Sequence, residues 1–186
     1  MANADAKGSQ LQRTAYQLQH DIESTVFKAV GDAIGADNII TDAACDPESV
    51  IGDISEAAVI LEENNVRNSK FLVIPPWLKS YLTLSGIKFS INEGINGQGA
   101  MSYAKGLDFD IYVSNNLYKP AGTQTYCLAG AYAATGYIDI QYAARTIDLE
   151  GKRYTGFDGG FAFGYKVIRP KELVLLDLTQ VPYAGL

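Results

Sequence analysis

Leu11, Ala15, Leu18, Ile22, Val26, Ala29 and Ala33 recur at intervals of three or four residues. That spacing places them on one stripe of an α-helix. It predicts a continuous helix from Leu11 to Ile34, about 36 Å long at 1.5 Å per residue. The opposite face carries Arg13, Gln17, Glu23 and Lys28, and Gly35 is expected to close the helix as a C-cap. A helix as long as a small domain is wide acts as a spine across which other elements lie.

The elements that follow change character along the chain. Ala36–Ala44 reads as a loop with a short strand at Asn38–Thr41. A second helix start is marked by Asp46 as N-cap, Pro47 at the first helical position and Glu48 at the positive end of the dipole. Val50, Ile51, Ile54, Ala58 and Leu61 form its apolar face, and Asn64-Asn65 stop it. Phe71–Ile74 is a continuously apolar run, expected as a central strand. Pro75-Pro76 ends that run and opens a short helix, Trp77–Leu82. Asn92–Gly99 is a Gly-rich turn. Leu107, Phe109, Ile111 and Val113 alternate with polar residues or Tyr as a half-buried strand, closed by Ser114-Asn115-Asn116. Gln124–Ala134 carries no clear period, whereas Tyr137–Ile147 is read as strand. Gly156 to Gly164 punctuate a turn and a strand. Lys166–Ile168 and Glu172–Leu178 are the last strands, with Arg169-Pro170 marking an edge or a break. Helix first and strand later, from Ser69 onward, reads as α+β.

The bulk properties narrow the function classes. A chain of 186 residues with 47% hydrophobic and 19% charged residues folds around a real core. The net charge of -6 repels a phosphate backbone, and no Lys/Arg run is denser than Lys152-Arg153. No direct grip on nucleic acid is therefore expected. Met1–Gln10 lacks the apolar stretch of a signal peptide. Phe71–Leu84 is too interrupted to span a membrane. Cys45 and Cys127 share no metal or redox spacing and are expected as two buried free thiols in a reducing cytoplasm. With 12 Tyr and 7 Phe, the chain suits sheets and contact surfaces.

Catalytic groupings are missing from the pattern. His20 is the only histidine, lies mid-helix, and has no nucleophile motif beside it. One His and two distant Cys exclude the usual zinc sets. Gly94, Gly97 and Gly99 have the wrong order for a phosphate loop. Asp108 and Asp110 share a strand face, which could support acid–base or metal chemistry but reads better as a solvated face. No catalytic, cofactor-binding or metal residue is assigned.

The order of segments carries a resemblance. Phe71-Leu72-Val73-Ile74-Pro75-Pro76 precedes a short helix. A Gly-rich turn leads to Gly106-Leu107-Asp108-Phe109-Asp110-Ile111-Tyr112-Val113-Ser114-Asn115-Asn116-Leu117. The last marker is Phe161 to Leu176, containing Lys166-Val167-Ile168-Arg169-Pro170. From Leu11 to Leu178 this resembles the major capsid (coat) proteins of tailed bacteriophages. The resemblance implies an α+β major-capsid-like fold with a long spine helix, a peripheral sheet, and an axial domain of mixed sheet and short helices. The implied division is 1–45 for the spine helix and part of the peripheral domain, 46–160 for the axial domain, and 161–186 for the return strands.

The implied function is that of a structural subunit of a phage or prophage shell, made in the bacterial cytoplasm and residing in the virion. Its partners would be other copies of itself, in pentamers or hexamers. Asn96, Gly97, Asn115, Asn116 and Tyr118 are the candidate contact residues, with Tyr126 and Tyr132 as further tyrosines to place. Relatives carry an N-terminal arm and an extended hairpin before the spine helix, so a shortened form is expected. Two alternatives stand beside this reading: a β-rich module binding carbohydrate through exposed Tyr and Trp77, and a bacterial nanocompartment shell protein of the same fold.

Overall fold

The computed structural model describes residues 2–67, 69–85, 101–102, 109–142, 145–148 and 155–181. Helix α1 runs from Ala2 to Asp32, extending the expected helix toward the N-terminus. Gly35 does not close it. Its backbone is extended (φ -70°, ψ 153°), and it opens a short 3-10 turn, Ala36–Asn38. The helix instead ends by tightening, as the N–H groups of Ala33 and Ile34 donate to the carbonyls of Val30 and Gly31.

Strand β1, Ile39–Cys45, follows and is longer than expected. Helix α2 is regular from Val50 to Glu63. Asp46 still organises its entry, four residues before Val50, because its Oδ1 accepts from the N–H groups of both Glu48 and Ser49 at 2.8 Å. At the far end Asn65 takes φ 62°. The Val66 N–H reaches back to the Leu61 carbonyl and the Asn65 N–H to that of Glu62. This is a Schellman closure with Asn in the position usually held by Gly.

Strand β2, Lys70–Ile74, leads through Pro75 into helix α3, Pro76–Leu84, with Pro76 at its first turn. The Tyr81 hydroxyl donates to the Val181 carbonyl and ties α3 to the end of the last strand. Then come β3, Met101–Ser102, β4, Phe109–Val113, and β5, Gln124–Ala131. The Asn92–Gly99 turn, with Asn96 and Gly97, lies outside the described residues, as do Leu107 and Asp108.

Four further strands, β6 (Thr135–Gln141), β7 (Arg145–Asp148), β8 (Thr155–Asp158) and β9 (Phe161–Val167), form two two-stranded ribbons apart from the large sheet. β6 pairs antiparallel with β9, and β7 with β8. A 3-10 turn at Pro170–Glu172 then delivers the chain to β10, Leu173–Gln180. Arg169-Pro170 therefore marks a break between strands and not a sheet edge.

The large sheet is mixed and ordered β1-β10-β5-β2-β4-β3. β10 lies parallel to β1 and antiparallel to β5, while β2 lies antiparallel to β5 and parallel to β4. The run Leu173–Leu176 is buried throughout because β10 is internal and covered on both faces. α2 packs on β1 and β10, and α1 approaches β5. Cys45 and Cys127 are buried free thiols.

Gly130 of β5 shows how closely the turn before β10 sits. A Cβ there would lie 2.6 Å from both the Glu172 carbonyl oxygen and Leu173 Cδ2. The backbone oxygen cannot rotate away, so Gly130→Ala is expected to destabilise the fold by about 1–3 kcal/mol, as overpacked sites do. Urea unfolding followed by circular dichroism measures this.

Candidate functional site

The exposed apolar surface is concentrated on the β6–β9 ribbon. Side chains directly opposite each other in an antiparallel pair share a face. The register pairs Ile138 with Gly164 and Ile140 with Ala162, so each large residue faces a small one. Glycine recurs at neighbouring steps of the same face. A Cβ on Gly164 would meet Ile138, one on Gly136 would meet Ile168, and one on Gly160 would meet Tyr142 at 3.1 Å. Isoleucine and tyrosine side chains thus lie across glycines and make an apolar strip, interrupted by Lys166 opposite Gly136. No described residue covers it: Ile138 is 67% exposed, Ile140 54%, Tyr142 61% and Ile168 60%.

The other face carries Tyr137 opposite Tyr165 and Asp139 opposite Phe163. Phe163 and Tyr165 stack with ring centroids 6.3 Å apart. Tyr137 joins Ala15, Leu18, Ile22 and Val26 of α1 around a groove of about 510 Å³. These four residues belong to the predicted helical stripe. The stripe is only half-buried, at Ile22, Val26 and Ala29; full burial falls one residue on from it, at Val30 and Ile34, while Leu18 remains 49% exposed and Ala33 faces solvent.

The candidate contact residues fall elsewhere. Asn116 donates from Nδ2 to Glu23 Oε2 at 2.7 Å, tying the loop after β4 to α1. Glu23 was expected on the solvent face and is half-buried by this loop. Tyr118 packs edge-on against Tyr126 at 5.5 Å, with Lys28 Nζ 5.4 Å from its ring centroid. Asn115 is exposed and its Oδ1 lies 3.4 Å from Lys119 Nζ. Asn116 and Tyr118 thus serve the molecule's own packing, and Asn115 is the one with an open side chain. Tyr132 packs on Phe71 at 5.5 Å, and its hydroxyl donates to Asp110 Oδ2 at 3.0 Å. That bond occupies the carboxylate considered for acid–base work.

His20 lies on exposed helix, its Nδ1 3.4 Å from Asp21 Oδ1. Trp77 packs edge-on against Tyr81 and partly against the core, so it forms no open platform for a sugar ring. One group among the described residues has ligand-like spacing: donor atoms of Asp42, Cys45 and Asp53 lie within 4.8 Å of one another. A metal would need the thiolate, yet burial, with help from Asp42 and Asp53, pushes the Cys45 thiol up to about 12.

The sequence reads Tyr137–Ile147 as strand, with Ile138, Ile140 and Tyr142 alternating along it, but does not reveal the apolar strip. Alternation says that one face is apolar. Finding that the face is bare requires the cross-strand glycines and the absence of a covering element.

The fold and this surface now meet comparison with known proteins. A family model described as phage capsid protein matches residues 1–176. The chain belongs to the phage capsid protein family. No curated protein sequence matches it. Among solved structures, a chain of Mycobacterium phage Che8 is 20% identical with a TM-score of 0.71, over 90% of this chain and 61% of that one. The capsid structure of cyanophage P-SCSP1u is 14% identical with a TM-score of 0.62, over 92% and 66%. The SrpI encapsulin complex from Synechococcus elongatus PCC 7942 is 12% identical with a TM-score of 0.64, over 90% and 64%. At these identities the likeness is one of fold, and this capsid-family chain spans about three-fifths of the Che8 chain's length. The α+β architecture expected from the sequence, with its mixed sheet and long helix, is the capsid fold. Among the described residues, no helix is long and apolar enough to cross a membrane.

The two asparagines separate by experiment. Asn116→Ala should lower stability by about 1–2 kcal/mol, since it leaves Oε2 of the half-buried Glu23 without its donor while Gln19 still serves Oε1. Asn115→Ala should stay within about 0.5 kcal/mol of the parent. Chemical denaturation of both variants checks the contrast.

Proposed function

We propose that the chain is a structural subunit of a phage or prophage capsid shell, acting through contacts with other copies of itself and not through turnover. One observation carries the proposal: the bare apolar strip of the β6–β9 ribbon. A two-stranded ribbon is at best marginally stable in water by itself. Exposed contiguous apolar surface of this kind marks an interaction site. In a shell, the same strip recurs on every subunit and can be covered by a neighbour related by symmetry, and heterologous contacts of that type close into rings of five or six. Family membership supports the same reading. The place of action would be the virion shell.

The large sheet and its helices supply the rigid body such a subunit needs. We assign the axial role to that body and the peripheral role to α1 with the ribbon. Asn115 and the Asn96–Gly97 turn are candidates for contacts at the axial tip. The bacterial nanocompartment shell remains the second reading, because the SrpI encapsulin shares the fold.

The test combines light scattering and negative-stain imaging on the full chain. The parent should form assemblies of about five or six chains, or larger shells. Ile138→Lys combined with Ile140→Glu should leave monomers with an unchanged circular dichroism spectrum. A parent that stays monomeric at every concentration, or a double variant that assembles as the parent does, would sink the proposal.

A further inference from the structure

The junction between β1 and α2 holds an imbalance of acceptors over donors. Asp42 accepts on both oxygens with capacity to spare: its Oδ1 takes the Ala44 N–H at 2.9 Å and its Oδ2 takes the Ser49 hydroxyl at 2.8 Å. Asp46 is likewise held as an anion, below the usual carboxylate range, by the N–H groups of Ser49 and Glu48. Asp53, one turn into α2, has no such donor. Its Oδ2 is buried and has no hydrogen-bond partner. A buried oxygen without a partner is costly, and the nearest remedy is a proton on Asp53 itself. A protonated Asp53 turns from acceptor to donor, and the nearest acceptor is the Asp42 carboxylate, with an oxygen within 4.8 Å.

We propose that Asp53 and Asp42 share one proton in a carboxyl–carboxylate hydrogen bond, forming a pH-sensitive clasp between α2 and β1. Asp42 is the anion because its two oxygens already have donors; Asp53 carries the proton because its own oxygen has none. The surroundings agree. Burial first, then the charge of Asp42, raises the Asp53 carboxyl to about 6, with Glu56 and Asp46 adding smaller pushes in the same direction. Cys45 stays a neutral thiol. The other elements packed on α2 bring no counter-charge. Lys79, the charged residue of α3, makes no ion pair with the cluster, and Asp177, that of β10, is occupied by Gln124 at 2.7 Å. The buried side chains of α3 and β10 are otherwise apolar, apart from the Tyr81 hydroxyl.

The sign follows from linkage. An unfolded Asp titrates near 3.9, so between about pH 4 and 6 the folded chain holds a proton that the unfolded chain has released. Stability from the clasp is full below that window and is lost as pH rises through about 6. Above it, two adjacent carboxylates repel across the β1–α2 junction. The clasp acts within one chain, so it holds or fails independently of shell assembly.

Carboxyl ¹³C NMR on the full chain reads the proton directly. Asp53 should titrate with an apparent midpoint about two units above a free Asp. Asp42→Asn should bring that midpoint down by about one unit or more, because the neighbouring charge is gone. Asp53→Asn, whose amide can donate to Asp42, should hold Tm level between about pH 5 and 7, where the parent loses a few degrees. An Asp53 midpoint at the free value would overturn the proposal. So would an unmoved midpoint in Asp42→Asn, or a saturable rise in the parent's Tm with Ca²⁺ or Zn²⁺ at neutral pH, which would make the cluster a cation site.

Discussion

Strand β10 lies between β1 and β5, and the rest of the large sheet is positioned from that placement. Its parallel partner is the first strand of the chain and its antiparallel partner comes from the middle. The register therefore joins Ile39 to Leu175 and Leu128 to the same residue. Asn38 reinforces the closure by donating its side-chain amide to the carbonyls of Lys171 and Leu173. Such pairings close long loops, which costs chain entropy, and they persist because Leu173–Leu176 are removed from water on both faces. Gly130 is the local condition for this arrangement, since only a residue without Cβ lets the Glu172 carbonyl come so near.

The molecule is divided in how well it satisfies itself. In the large sheet, apolar side chains of α2, α3, β2, β5 and β10 fill one core cluster. In the ribbon, apolar side chains of comparable size face outward over glycines. The same asymmetry runs along α1, which is buried at Val30 and Ile34 and open at Leu18. Among the described residues, apolar surface is thus buried in the large sheet and left exposed on the β6–β9 ribbon and the middle of α1. This fits a capsid-family protein, whose rigid body and contact surface have different physical requirements.

Polar groups show a related division. Glu23 with Asn116, and Lys28 with Asp32 and the Tyr118 ring, fasten the loop after β4 to α1 with matched donors and acceptors. At the β1–α2 junction the acceptors outnumber the donors, and the excess is what makes protonation matter there. Both clusters sit where an element must be held at a set angle to its neighbour. One is held by a carboxylate–amide hydrogen bond and a cation–ring contact; the other, on the proposal above, depends on a single proton.

The amino-acid sequence by itself determined the elements and their periods: the stripe of α1, the Asp46 entry and Asn65 exit of α2, the Pro75-Pro76 step from β2 to α3, and the alternation at Ile138 and Ile140. These are local properties, set by side-chain spacing and backbone preference within a few residues. The tertiary structure decided what each apolar face meets. It placed Asn116 on Glu23, 93 residues away, a tie that no local pattern shows. It put glycines under Ile138, Ile168 and Tyr142 and left that face uncovered. It also brought Asp42 and Asp53 together with too few donors. Periodicity states which side of an element avoids water; only the positions of all the other elements settle whether anything in the same chain is there to cover it.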